Sequence, residues 1–288
     1  MDPHLPEHYL KDFAGSALRT VKSVHVEALP DGGLEEIAFL EGLLCAEGRC
    51  DTLAAYVASC DLSRPDAQAA LEALVAASAR VRGVRWITNW AGALGERERP
   101  VASRATWPRV AHDYSLDPQF EAGLALLPKF GLSFDLQANP SQLRRWSDVL
   151  GRHPAVPTVL DHIGSLRSLA GDGNAADQKQ LAEWRDGMQA LSALPQVCVK
   201  LSMLGYSVPG WHEYGEQSKE ALARDIVLET ISLFGPRRCM FATNWPVDAE
   251  GGLQGPHMLS KYREWVKDFS DGDQEALFAG TAERFYRI

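Results

Sequence analysis

Arg237 to Asp248 read Arg-Arg-Cys-Met-Phe-Ala-Thr-Asn-Trp-Pro-Val-Asp. The apolar run Cys239–Thr243 has the length of a buried strand, and it ends abruptly in polar residues and a proline. A strand that stops in this way sets its last side chains, Asn244 foremost, over a site. A second segment has the same shape. Val159–Gly164, Val-Leu-Asp-His-Ile-Gly, delivers an acid and a histidine from a short apolar run just before a glycine.

Outward from these two tips, short β-rich runs alternate with longer helical patterns. Strands are expected at Val21–Ala28, Leu53–Ser59, Gly83–Thr88, Leu132–Gln137, Thr158–Asp161, Cys198–Leu201 and Cys239–Thr243. Apolar spacing of three and four predicts helices over Leu34–Glu47, Pro65–Ala79, Pro118–Phe130, Ser141–Gly151, Ala176–Leu194, Ser218–Phe234 and Met258–Phe269. Asp117 offers an N-cap before Pro118, and Gly235-Pro236 stops the helix that precedes the last strand.

Such alternation predicts βα units and a parallel sheet. No Gly-rich phosphate fingerprint follows any strand, which removes the usual reason for an open dinucleotide-binding sheet. Polar residues instead recur at the C-terminal ends of the runs: His25 and Glu27, Arg85, Asp135 and Gln137, Asp161 and His162, Lys200 and Ser202, and Asn244. A TIM barrel gathers those ends on one face, so scattered residues become one site. The expectation is a single α/β TIM-type barrel domain over residues 1–288, with residues 1–20 as an N-terminal arm.

Composition narrows the partners. In a chain of 288 residues with 45% hydrophobic residues and a formal net charge of -9, a large core is available and a general polyanion binder is disfavoured. The basic clusters Arg80–Arg85 and Arg97–Arg109 are interrupted by apolar or acidic residues and read as solvated surface. Five cysteines, Cys45, Cys50, Cys60, Cys198 and Cys239, have no paired spacing, so neither a disulfide framework nor a zinc ribbon is expected. With no secretory leader pattern and no run long enough to span a bilayer, the expected compartment is the cytoplasm and no membrane partner is expected.

His162 is the foremost candidate for chemistry, as a general base or a metal ligand, with Asp161 or a backbone carbonyl fixing its tautomer. Lys200 and Arg85 are cations suited to holding a substrate carboxylate or polarising a carbonyl, which points to an anionic small-molecule substrate. For both, an internal salt bridge to Asp135 or Glu27 is the alternative. Asp135 and Gln137 share one face of their strand, and His25 and Glu27 show the same two-residue spacing. The long loops Asn89–Tyr114 and Tyr206–Gln217 are aromatic-rich, and Trp211 in the second is a candidate pocket wall. His4 and His8 have helical metal spacing but lie in a proline-broken segment read as surface. There is no G-x-S-x-G elbow and no H-E-x-x-H helix.

Taken together, Val24–Ala28, Gly83–Arg85, Phe134–Leu136, Leu160–Gly164, Val199–Ser202, Met240–Val247 and Gly280–Tyr286 resemble, in order and spacing, the amidohydrolase-2 family. That family of TIM-barrel, metal-dependent hydrolases includes sugar-lactone and pyrone-dicarboxylate lactonases. The resemblance implies hydrolysis of a carboxylic ester, often a lactone, sometimes with a divalent metal such as zinc and sometimes without; other relatives are decarboxylases. It also implies a first strand bearing an H-x-H pair, which is not found before Val21–Ala28, and an aspartate where this chain has Asn244. An amide cannot serve as a carboxylate base, so Asp248, four residues on, becomes the candidate replacement.

Three readings follow. The first is a lactonase-like hydrolase without tight metal, with His162, Asp248 and Asn244 at the reacting centre and His25, Arg85, Asp135, Gln137, Lys200 and Trp211 around the substrate. The second is a degenerate barrel that binds a small acid or sugar derivative. The third is a start that omits an upstream strand. A seven-stranded barrel leaves two strand edges, which the N-terminal arm or a second copy in a homo-oligomer is expected to cover.

Overall fold

The computed structural model describes residues 4–45, 52–90 and 110–288. Seven strands form one sheet: β1 Ser23–Val26, β2 Leu53–Ser59, β3 Val81–Ile87, β4 Ser133–Gln137, β5 Thr158–Leu160, β6 Val197–Leu201 and β7 Cys239–Phe241. Each pairs in parallel with the next in sequence. The curled parallel sheet with its outer helices is of TIM-barrel type. Among the described residues β1 and β7 do not pair, so the two edges anticipated from the sequence are present.

Helices fall where the periodicity put them, at Gly33–Cys45, Ala67–Ala77, Pro118–Leu124, Pro140–Gly151, Ala175–Ser192, Gln217–Phe234 and Gly255–Trp265. The expected helix over 118–130 is shorter than predicted and is followed by a 3-10 turn at Leu127–Phe130. Pro128 lies in that turn, where the missing N–H breaks an α-helical ladder. Asp117 caps the first piece, accepting from the Gln119 N–H at 2.8 Å.

The N-terminal arm is more ordered than its prolines suggested. Pro6–Asp12 is a helix with proline in its first turn, where no N–H is needed. It docks at the tip of β7: the Phe13 ring lies 5.0 Å from that of Trp245, and Trp245 Nε1 donates to Asp12 Oδ2 at 2.9 Å. Lower down, Lys22 pairs with Glu283 at 2.6 Å, so the arm passes from the β7 tip to the start of β1.

The C-terminal helix Thr281–Tyr286 closes the opposite end of the barrel. Arg287 donates to the Gly131 carbonyl at 2.6 Å and Arg284 donates to that of Arg237, both just before strands begin. Tyr286, Phe285 and Ile288 pack inside the sheet against Val24, Val57, Val159, Cys198 and Met240. Burying one such side chain contributes roughly 1.5–3 kcal/mol, so the chain's last turn holds the barrel floor.

Cys60, Cys198 and Cys239 are buried free thiols, as expected of small hydrophobes. The Arg97–Arg109 cluster and Cys50 lie outside the described residues, as do the side chain of Cys45 and most of the Asn89–Tyr114 loop. No helix among the described residues is long and apolar enough to cross a membrane.

Candidate active site

Register decides which side chains share the barrel interior. Val57 faces Gly83, Ser59 faces Arg85, Arg85 faces Asp135, Asp135 faces Val159, Val159 faces Cys198 and Lys200 faces Met240. Because alternate residues share a face, Arg85, Asp135, Gln137 and Lys200 join the interior set that holds Val159, Cys198 and Met240. Asp161 and Ser202 continue the same parity just beyond β5 and β6.

These residues form a closed charge network. Arg85 Nε is 2.8 Å from Glu27 Oε1, and Arg85 Nη1 is 3.2 Å from Asp161 Oδ2. Lys200 Nζ is 2.5 Å from Asp135 Oδ2 and 2.9 Å from Asp161 Oδ1. The Tyr286 hydroxyl donates to Asp135 Oδ2 at 2.9 Å from below. Asp135 and Asp161 are fully buried, and the Lys200 side chain is 8% exposed. Burial opposes charge on Asp161, but Lys200 and Arg85 together outweigh it and hold this carboxyl below its ordinary value. For Asp135 burial wins over Lys200, and its pKa is pushed up to about 6. Lys200 stays above its ordinary value because Asp135 and Asp161 outweigh its burial. The internal salt bridges offered as the alternative for Arg85 and Lys200 are therefore formed. A substrate carboxylate would have to displace a buried partner to use either cation.

Above this floor, three strand tips bend sharply. His162 has φ 57°, Met203 φ 63° and Asn244 φ 50°, all left-handed. Asn and His enter that region more readily than most residues, whereas Met holds it at a cost on the order of 1–3 kcal/mol, a strain that packed surroundings must sustain. Gly164 completes the first turn at φ 73°, where a Cβ would lie 2.7 Å from Leu143 Cδ1. His162 Nδ1 is 2.9 Å from Ser202 Oγ. Burial, reinforced by Arg85 and Lys200 against the opposing Asp161, lowers the His162 pKa to about 3, so its ring is neutral.

At the β7 tip Asp248 lies against Asn244. The Asn244 amide donates from Nδ2 to Asp248 Oδ1 at 3.0 Å, and the Asp248 N–H donates to the Asn244 carbonyl at 3.1 Å. Asp248 is 1% exposed, and its Oδ2 has no hydrogen-bond partner among the described residues. Burial raises its pKa to about 7, against the lowering effect of the Asn244 bond. Gln137 accepts from Arg85 through Oε1 at 3.4 Å, and its buried Nε2 likewise lacks a partner among the described residues.

Two expected site residues lie elsewhere. His25 alternates with the inward Val24 and Val26, so its ring faces the outer layer, with Nε2 3.0 Å from Glu36 Oε1 on the helix Gly33–Cys45. Glu27 shares its parity but lies past the strand end, where the left-handed Leu29 (φ 60°) turns the chain, and Glu27 reaches Arg85 instead. Trp211 is 1% exposed within the outer core, its ring 5.2 Å from that of Trp265, because the loop folds back on the last long helix. Sequence reasoning named Ser202 among the strand-end residues but gave it no partner, and it missed Tyr286, since nothing local shows that the final helix enters the barrel.

Comparison with known proteins gives a consistent result. A family model described as Amidohydrolase matches residues 42–288. An uncharacterized protein of Sinorhizobium fredii is 28% identical over 289 residues, covering 99% of this chain and 86% of its own length. L-fucono-1,5-lactonase of Burkholderia multivorans is 28% identical over 286 residues, covering 96% of this chain and 87% of its own. A solved amidohydrolase from Burkholderia multivorans with bound zinc matches with a TM-score of 0.75 and 28% identity, covering 99% of this chain and 88% of that one.

The donors among the described residues do not fit such a metal. Among the described residues, no group of three or more His, Cys, Asp or Glu side chains is arranged to hold an ion. His162 offers one nitrogen, Nε2, while Asp161 is held by Lys200 and Arg85 and position 244 carries an amide. A catalytic zinc centre takes three protein ligands.

Proposed function

The chain belongs to the amidohydrolase family, and on that premise we propose that it hydrolyses a carboxylic ester, specifically a lactone of a small acidic or sugar-derived compound. The observation that carries the reading is the buried Asp248 carboxyl, gripped by Asn244 on one oxygen and without a hydrogen-bond partner among the described residues on the other. The similarity to a sugar lactonase supports the choice of substrate class.

The chemistry needs a base that is ionised near neutrality and still basic. A carboxylic acid with a pKa of about 7 meets both demands, whereas an ordinary aspartate is too weak. In the proposed reaction Asp248 Oδ2 takes a proton from water as its oxygen adds to the lactone carbonyl carbon. The ring C–O bond then breaks, and the proton on Asp248 passes to the departing oxygen, giving the open hydroxy acid. Neutral His162, fixed by Ser202, supplies an N–H toward the carbonyl oxygen, and the Gln137 amide is free to hold a substrate hydroxyl or carboxylate. Asp248→Asn removes the base without changing the shape. A panel of sugar lactones read by acid release tests the reading: turnover lost in that variant supports it, and turnover unchanged refutes it.

One observation favours a second reading, a barrel that binds a small acid without turning it over: position 244 carries an amide where the family resemblance implies an aspartate. Binding of the acid with no hydrolysis of any lactone in the panel is the result that selects it.

A further inference from the structure

Arg85 and Lys200 are engaged by buried carboxylates, so an anionic substrate needs another cation. The loop after β5 presents one. Arg167 follows closely on His162 and is half-buried, while Leu166 and Leu169 on either side of it are buried in the outer core. Its backbone is fixed from two directions. Gln180 Oε1 accepts from the Arg167 N–H at 2.7 Å, and Gln180 Nε2 donates to the Arg167 carbonyl at 2.9 Å. The N–H groups of Ser168 and Leu169 donate to the carbonyls of Tyr206 at 2.8 Å and Ser207 at 2.9 Å, which ties the loop to the short helix Leu204–Ser207 after β6. Ser165 and Ser168 hold left-handed backbone, at φ 57° and φ 54°. Strain of this kind persists only where the surroundings over-determine the chain, and it gathers at ligand sites.

The same short helix leads to the proposed base. A Cβ on Gly205 would lie 3.5 Å from Asp248 Oδ1, and the Tyr206 hydroxyl donates to Glu250 Oε2 at 3.1 Å, in the turn that carries Asp248. Tyr206 therefore joins the β5 loop to the β7 tip. Burial and the carboxylates of Glu250 and Asp248 raise the Tyr206 pKa, and Arg167 lowers it. Burial lowers the His162 pKa against Asp161, and Arg167 adds to Arg85 and Lys200 in doing so. The Arg167 charge thus acts on the β5 tip and on the helix after β6. Burial lowers the pKa of Arg167 itself, with Tyr206 opposing, but a guanidinium keeps its proton in proteins. Partly removed from water, it pairs with a carboxylate more strongly, through two parallel bonds.

We propose that Arg167 is the anchor for a substrate carboxylate at the barrel mouth, between the β5 loop and the helix after β6, so that the site selects lactones carrying a free carboxylate over neutral ones. The inference rests on the lactone reading for the ring and goes beyond it in naming the charged group and the residue that meets it.

Calorimetric binding of two ring-opened acids tests this without turnover. D-glucarate carries a second carboxylate that D-gluconate lacks. Wild type is expected to bind D-glucarate roughly 10–100-fold more tightly than D-gluconate, the range for hydrogen bonds to a charged group. In Arg167→Gln that ratio should fall to about 1, because an amide has neither the charge nor the fork. In Arg167→Lys it should fall part of the way, since an ammonium keeps the charge alone. If Arg167→Gln fails to fold, Arg167→Lys and the wild-type ratio decide. A wild type that binds neither acid or prefers neither overturns the proposal, and so does a folded Arg167→Gln with the wild-type ratio. The two readings can fail separately: hydrolysis of neutral lactones without any preference for D-glucarate removes the anchor and spares the lactonase, while Arg167-dependent binding of D-glucarate with no lactone turned over does the reverse.

Discussion

The side-chain amide of Asn244 holds Oδ1 of Asp248 at 3.0 Å, while the Asp248 backbone N–H returns a bond of 3.1 Å to the Asn244 carbonyl. One turn of chain thus presents a buried carboxyl from the β7 tip in a fixed orientation. On the proposed function, Asn244 is the residue that aims the base.

Asp248→Asn is expected to lower kcat/KM for lactone hydrolysis by roughly 10²–10⁴-fold, the usual worth of a general base, with unchanged circular dichroism. In the wild type, kcat/KM should rise with pH through about 7 as Asp248 loses its proton. The variant should lack that limb.

The same carboxyl makes stability depend on pH. Folding raises the Asp248 pKa from 3.8 to about 7, so between those values the folded state binds more protons than the unfolded one. Stability from this group is fully present at acid pH and is lost as pH rises toward 7, by an amount on the order of 4 kcal/mol for a shift of this size. Asp248→Asn should flatten that slope in urea melts taken from pH 4 to pH 8.

Asn244→Gly removes the donor while suiting the left-handed φ of 50°. The amide lowers the Asp248 pKa, so its loss should move the acidic limb of the rate profile to higher pH. Asn244→Asp should move it further, because two carboxyls this close cannot both ionise freely. A limb that stays in place in both variants would remove Asn244 from the assignment.

Arg85 separates structural from substrate-binding cations. Arg85→Leu strands Glu27 without its cation and leaves Asp161 to Lys200 alone, and is expected to cost about 3–5 kcal/mol in denaturant unfolding. A variant of wild-type stability with a raised KM would instead mark Arg85 as a substrate anchor. His25→Gln, in the outer layer beside Glu36, should leave kcat/KM within about 2-fold, since it changes no group at the strand tips.

How far the sequence carried can be judged residue by residue. Period-two alternation was enough to put Arg85, Asp135, Gln137 and Lys200 on one face, because each lies on or at the end of a strand whose register is fixed by its neighbours. The same rule misled at His25, where β1 is only four residues long and Glu27 already belongs to the turn. Trp211 showed that aromatic content in a loop does not say whether the ring faces the mouth or the core. Partnership was the least legible quantity. Salt bridges of Lys200 and Arg85 to Asp135 or Glu27 were offered as an alternative, but that Asp161 would share both cations, or that Tyr286 would enter from the far end, depends on contacts between residues distant in sequence. The relocation of the acid from position 244 to Asp248 could be suspected from spacing, but its direction depended on the turn that follows Pro246.

The most direct test is the pH-rate profile of wild type and Asp248→Asn on a panel of sugar 1,4- and 1,5-lactones, L-fucono-1,5-lactone included. The expected result is turnover by the wild type that rises through pH 7 and is lost in the folded variant. Equal turnover by both proteins, or none by the wild type on any lactone, would contradict the assignment of Asp248 as the base of a lactone hydrolase.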